Sequence, residues 1–447
     1  MRASSMQPAG SRALWLLLAG GALLALALTL VIAGQWEQTN GGGRPDLATD
    51  PLAASNGTIA FWEERVQRDP ADFVAYNRLA RAYAGRARET GDVADYTRAE
   101  AAVTASLNAL PRDNYDATAL LASLQLTKHE FRLGLETARA AMAIDPNDAY
   151  AHAVIGDAQL ALGQYDEAQR TYEALVAEAP GLSSFSREAS LYELRGDLAA
   201  AEAAWQNALS TDGGRRPESS AWARVQFGNF YWSQGRLDDA RGQYESALAY
   251  YPGYIHALAG LARLAAASGN FERAIALYGD VTARQPLPEY VIALGDTYGA
   301  AGRQVEAQRQ YDLVGAIDAL YRENGINTDL QMAIFKADHG ADLGEAMRQA
   351  QAVYDAQPDN IYAADALAWA LYKSGRPQEA VTYSQTALRL STQDPLLLFH
   401  AGVIHASLGD VDEARGLLGW ALELNPDFSL LHAAEAASTL QSLGGAR

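Results

Sequence analysis

Seven histidines are the residues of this chain best suited to chemistry: His129, His152, His256, His339, His400, His405 and His432. Imidazole ligates metals and carries protons near neutral pH, but metal binding needs several rings to converge. No HExxH pair places two of them on one helix face, and there is no cysteine to complete a thiolate zinc site. His400, His405 and His432 fall together at the C-terminal end, but His405 is at a packing position. Separate structural roles are therefore expected, with no metal and no cofactor assigned. The missing cysteines also exclude disulfides, thiolate nucleophiles and iron–sulfur clusters. No Gly-Lys dipeptide exists, so there is no P-loop, and neither a GxSxG elbow nor a dinucleotide fingerprint after a strand is present. The 54 Asp and Glu residues offer many pairs, but without a recess to shift their pKa values they read as a solvated acidic face. The chain is expected not to be an enzyme.

The scaffold for these side chains is long: 447 residues, 49% of them hydrophobic, which suits several domains or one extended array. A formal charge of −19 argues against nucleic acid, whose phosphates need a basic face. Lys128, Lys336 and Lys373 are the only lysines, and the high Ala, Leu and Arg content suggests a bacterial composition. From Ala13 to Gly34 no charge interrupts 22 residues rich in Leu and Ala, between Trp15 and Trp36. At ~1.5 Å per residue this segment crosses a ~30 Å hydrocarbon core. Arg2 and Arg12 precede it, which places residues 1–12 in the cytoplasm and the rest of the chain outside. A cleaved signal peptide, with Val31 and Ala33 before the cut, is the alternative, although the run is longer than the usual ~7–15 residues of such a segment. Either way the remainder is exported. Residues 35–57, with Gly41, Gly42, Gly43, Pro45 and Pro51, read as a flexible linker.

Beyond the linker the chain repeats. Turn glycines stand at Gly163, Gly196, Gly235, Gly269, Gly302, Gly375 and Gly409, at intervals of 33, 39, 34, 33, 73 and 34, and the long interval holds a weaker unit around Gly340. One unit carries Ile155, Gly156, Tyr165, Ala168, Tyr172 and Pro180. Others carry Phe227, Gly228, Tyr231, Ala240, Tyr244, Ala247 and Pro252, or Leu294, Gly295, Tyr298, Ala307 and Tyr311. This pattern resembles the tetratricopeptide repeat: two helices, a small residue on the first facing an aromatic on the second, and a closing proline. The resemblance implies an all-α fold, a right-handed superhelical solenoid of about ten hairpins, preceded by one transmembrane helix. The array spans 58–427 and a capping helix and tail 428–447. A lone helix is expected from Thr58 to Asp69. Extra residues at Arg86–Tyr96 and Gly315–Asn327 predict a longer second helix or a bend.

In tetratricopeptide arrays the first helices line a concave groove, and the resemblance places Asn77, Arg81, Tyr150, Asp157, Trp222, Asn229, Trp232, Arg263, Asp296, Asp365, Trp369 and Tyr372 there. Aromatics beside Arg, Asn and Asp have the composition of binding hot spots, though Trp222 and Trp369 equally suit packing between hairpins. The pairs Asn77 with Arg81 and Asn229 with Arg263 only faintly echo the carboxylate clamp of chaperone-binding repeats, whose lysines are missing here. The expected function is a membrane-tethered extracytoplasmic scaffold that holds a protein or peptide. A narrower reading resembles the tetratricopeptide assembly factors of cytochrome maturation. The alternatives are a structural or self-associating subunit of a membrane complex, and a metal or cofactor carrier.

Overall fold

The structure, a computed structural model, describes residues 51–214 and 216–444. The expected membrane segment, 13–34, and residues 35–50 of the expected linker lie outside these. Among the described residues no helix is long and apolar enough to cross a membrane, and there are 22 helices and no strand. A lone helix, α1 (Pro51–Arg68), precedes ten hairpins. In chain order these pair α2 (Phe73–Thr90) with α3 (Ala94–Ala109), α4 (Tyr115–Thr127) with α5 (Phe131–Ile144), α6 (Ala149–Ala161) with α7 (Tyr165–Glu178), and α8 (Leu182–Leu194) with α9 (Leu198–Ser210). Then come α10 (Pro217–Ser233) with α11 (Leu237–Tyr250), α12 (Ile255–Ala267) with α13 (Phe271–Arg284), and α14 (Pro288–Ala300) with α15 (Gln304–Glu323). The last three pair α16 (Asp329–Asp338) with α17 (Leu343–Ala356), α18 (Ile361–Lys373) with α19 (Pro377–Ala387), and α20 (Pro395–Leu408) with α21 (Val411–Leu424); α22 (Ala433–Ser442) closes the array.

Local chemistry explains the boundaries. Asp72, Asn114, Asp148, Asn360 and Asp394 begin first helices by accepting backbone N–H groups of the first turn. Within a hairpin the small residue of the first helix admits an aromatic ring of the second. A Cβ on Gly156 would lie 2.3 Å from Tyr172, and one on Gly228 would lie 2.5 Å from Tyr244. Tyr244 also presses on Gly260 of the next hairpin, so one ring joins two units.

Two boundaries differ from expectation and a third follows it. Helix α1 starts at Pro51 rather than Thr58, because Ser55 and Asn56 bond to Glu89 and Arg86 of α2 at 2.6 and 2.8 Å. The extra residues near Arg86 lengthen the first helix, α2, to 18 residues instead of the second. Those after Gly315 do lengthen a second helix, α15, to 20.

The array also closes on itself. The tip of each early hairpin meets the start of the unit six hairpins later, 193–199 residues along the chain. Asn360 donates to the Ala161 carbonyl at 2.7 Å, Gln393 to that of Gly196 at 2.8 Å, and Asn425 to that of Trp232 at 2.7 Å. Thr392 donates to the Leu194 carbonyl. Gln285 reaches the carbonyl of Arg88 at 3.3 Å, and His129 meets that of Asn327 at 2.5 Å. One buried cluster accordingly joins Ile59, Leu79 and Tyr96 of the first hairpins to Tyr278, Val291 and Ile326 of the later ones. The solenoid makes one complete turn in six hairpins and stacks the next turn directly upon it.

This stacking makes turn glycines unequal. Gly163 has φ +77° and a Cβ there would sit 2.2 Å from the Asp359 carbonyl, whereas Gly302 has φ +76° and nothing within 4 Å. Gly302→Ala is expected to cost about 1 kcal/mol through backbone conformation alone. Gly163→Ala should add an overpacking loss of about 1–3 kcal/mol as the turns are pushed apart. Thermal unfolding of the two variants measures this, and equal losses would show that the turns do not touch.

Candidate functional site

Between the two turns lies a cavity of about 260 Å³. The C-terminal ends of α6, α8 and α10 contribute Leu160, Glu193, Gln226, Asn229 and Trp232, and α12 contributes Arg263. The second turn closes it with the starts of α18 and α20, through Tyr362, Gln393, Asp394 and Leu396, and with Phe428. First helices face inward in each hairpin, so the cavity is what remains of the concave groove after the turns have stacked.

One part of its wall is cationic. Arg263 donates to Asn229 Oδ1 at 2.6 Å and to the Tyr244 hydroxyl at 2.7 Å. Its guanidinium lies 4.7 Å from the Trp232 ring centroid, and its Nε is buried without a partner. The other part is acidic. Burial, and then the charge of Asp394, push the Glu193 carboxyl up to about 8. Burial also raises Asp394, against the opposing pull of the backbone N–H groups it caps at Leu396 and Leu397. No Arg or Lys among the described residues offsets the charge at Glu193.

Of the residues assigned to a groove, Asn229, Trp232 and Arg263 do come together on this cavity. The others serve the fold. Asn77 is buried in a network with Asn114 and Ser106. Arg81 pairs with Asp116 at 2.5 Å on a neighbouring first helix. Asp157 is fully buried in a two-pronged ion pair with Arg187, both contacts at 2.8 Å, and also accepts from Tyr172. Such a pair resists removal of one partner because the other is left as an uncompensated buried charge. Asp296 accepts from Tyr311 and His339 at 2.9 and 2.8 Å. Tyr150 and Trp222 are 7% exposed and packed within separate hydrophobic clusters. Trp369 is 0% exposed, donates to Asp338 and stacks on Tyr372. These tryptophans are core, because the neighbouring hairpins of their own turn close over them: Trp222 packs with Trp205, Phe227 and Tyr254, and Trp369 with Phe399, Val403 and Leu418. Asp365 is likewise buried, bonded to His400 at 2.9 Å. The histidines correct a further expectation: His405 stands apart with Asp410, but His400 and His432 converge.

Glu193 and Asp394 were not legible as site residues. They lie 201 positions apart in the chain, and no local pattern brings an acidic residue at a helix end against a cap one turn above. The Glu193 shift sets a sign for stability. Between its ordinary value, 4.5, and about 8, native Glu193 keeps a proton that the unfolded chain has lost, so stability falls as pH rises through that interval. Glu193→Gln should leave the unfolding temperature near pH ~5 unchanged and raise it near pH ~9. No gain at the higher pH would place the carboxyl in ordinary solvent.

Models of the tetratricopeptide repeat match residues 127–185, 231–296 and 366–427. No curated protein matches the chain. Among solved structures, the APC/C hetero-tetramer Cut9–Hcn1 is similar over 88% of this chain and 94% of its own, at 14% identity and a TM-score of 0.32. A tetratricopeptide repeat protein from Parabacteroides merdae covers 62% of this chain and 100% of its own, at 18% identity and a TM-score of 0.34. The human IFIT1 dimer with m7Gppp-AAAA covers 76% and 78%, at 18% identity and a TM-score of 0.46. The helical hairpins in these three stretches match the tetratricopeptide repeat, and the described residues form an all-helical, tetratricopeptide-like solenoid.

Proposed function

We propose that this chain is a non-enzymatic scaffold, tethered to a bacterial cytoplasmic membrane by residues 13–34 with its array outside, that receives part of a partner polypeptide in the cavity between its turns. Tetratricopeptide arrays are suited to protein–protein interaction, and that much follows from the repeats. The observation that carries the finer reading is the acidic pair Glu193 and Asp394, half-buried on a cavity wall with no Arg or Lys to offset Glu193. Two carboxyls so placed are disfavoured until a cation joins them. At about 260 Å³ the cavity is below the usual ~300–1,000 Å³ of ligand pockets. Its size suits one long side chain or a chain terminus, not a whole helix. The matching partner presents a Lys or Arg side chain, or a free amino terminus, with its backbone carbonyls toward Arg263. An array held at a membrane with such a socket serves to dock a subunit while a membrane complex is assembled.

A photoreactive residue at Gln226 or Gln393, both on the cavity wall, should crosslink one partner in native membranes, and the same residue at exposed Arg241 should not. Recovery of the partner from Arg241 alone would move binding to the outer face. Binding of a basic peptide should strengthen as pH rises through about 8, because the cation must displace the Glu193 proton. Glu193→Gln should flatten that profile. Washing membranes with alkaline carbonate tests the tether. The chain is expected to stay in the pellet, and its release would show that residues 13–34 do not anchor it.

A further inference from the structure

The most chemically distinctive cluster lies away from the cavity, under the C-terminal cap. Asp338 ends α16, His400 is in the middle of α20, and His432 immediately precedes α22. One donor atom from each lies within 4.8 Å of those of the other two. His432 Nε2 is 3.0 Å from Asp338 Oδ1, and the same oxygen accepts from Trp369 Nε1 at 2.7 Å. The His400 ring lies flat on Trp369, centroids 4.0 Å apart, and the His432 ring stacks on Phe399 at 4.9 Å. Both imidazoles are thus fixed in orientation by aromatic faces.

Packing alone does not explain how their nitrogens are satisfied. His400 is 0% exposed, with Nδ1 held by both oxygens of Asp365 at 2.9 and 3.1 Å, while Nε2 is buried with no partner. A carboxylate on one ring nitrogen fixes the tautomer in which the other carries a free lone pair. That arrangement is the outer shell of most metal-bound histidines. An unpartnered buried acceptor is otherwise destabilising.

We propose that Asp338, His400 and His432 bind one divalent transition-metal ion of the zinc class, with Asp365 as the positioning residue behind His400. Two imidazoles and one carboxylate are a sufficient protein ligand set for tetrahedral zinc, with the fourth position left to water. Ligand bonds of ~2.0–2.2 Å require donors ~3.3–3.6 Å apart, so the His432–Asp338 pair, at 3.0 Å, opens slightly while the remaining donors, all within 4.8 Å, draw in around the ion. Three separate elements supply the ligands, and the ion therefore pins the cap and the last hairpin to α16. Calcium and magnesium, which prefer all-oxygen shells, do not suit two imidazoles.

The test uses the full chain and the metals alone. After removal of bound metal by chelation, titration with Co²⁺ should give one equivalent per chain, the visible absorption of tetrahedral nitrogen–oxygen ligation, and displacement by Zn²⁺. Asp338→Asn keeps an oxygen to accept from Trp369, so its helical circular dichroism should be native while Co²⁺ affinity falls at least tenfold. Asp365→Asn should weaken binding ~10–100-fold, as loss of a carboxylate behind a ligating histidine does. His405→Ala, outside the cluster, should change nothing. The proposal is overturned if the wild-type chain takes up no stoichiometric Co²⁺ or Zn²⁺, which would leave a purely hydrogen-bonded cluster. It is equally overturned if a natively helical Asp338→Asn chain binds as tightly as wild type. Should that variant not fold, the wild-type stoichiometry and absorption decide the question.

Discussion

The carbonyls at the C-terminal ends of the first helices are the groups on which this architecture depends. Every helix leaves its last carbonyls without an intrahelical partner, and burial without one is costly. In an open solenoid water satisfies them. Here Ala161, Leu194, Gly196 and Trp232 give their carbonyls to Asn360, Thr392, Gln393 and Asn425 from the turn above. Each donor also belongs to a helix boundary. Asn360 caps α18 through its own oxygen while its amide nitrogen reaches Ala161. One side chain thus starts a helix in one turn and finishes a helix in the other.

That double use has a consequence for the interior. Packing leaves little water along the array, and the charges buried there mostly take a partner from the chain itself. Asp157 has Arg187, Asp365 has His400, and Asp296 has Tyr311 and His339. Asp95 is held by Arg86 and Arg98, at 2.6 and 2.5 Å. Against this background an unpaired carboxyl such as Glu193 is informative, since the rest of the interior shows what the fold does with charges that it must bury.

The hairpins were legible because their signal is local. Gly156 with Tyr172, and Gly228 with Tyr244, are sixteen residues apart and report one helix pair whatever surrounds it. The expectation of about ten hairpins and a cap came from such pairs together with the recurring turn glycines and the tetratricopeptide resemblance. The number of hairpins per turn was not legible, since it accumulates from small rotations at each junction. α2 and α15 show how a few added residues alter those junctions. Without knowing that the spiral closes after six units, a first-helix tryptophan looks the same whether it faces a groove or another turn. Trp369 and Trp222 instead pack against adjacent hairpins of their own turn, whereas Asn229, Trp232 and Arg263 line the space left between the turns.

Closure also explains why the two ends of the array differ. The tips of hairpins in the first turn, at Gly163, Gly196 and Gly235, touch backbone of the second, but the tips at Gly269, Gly302, Gly375 and Gly409 meet nothing within 4 Å. Ten hairpins at six per turn leave the second turn unfinished. Above the fifth hairpin, the described residues place Asn425 and the segment leading to α22. This short piece has two tasks: it must cover the last hairpin, and it must receive the Trp232 carbonyl that a full repeat would otherwise receive. A ten-residue helix with a single buried residue, Ala436, has little apolar surface for this. Phe428 and His432, packed on Phe399 and bonded to Asp338, carry the load instead. The concentration of aromatic rings and ligand-type side chains under the cap is therefore where the geometry of an incomplete turn most requires added cohesion.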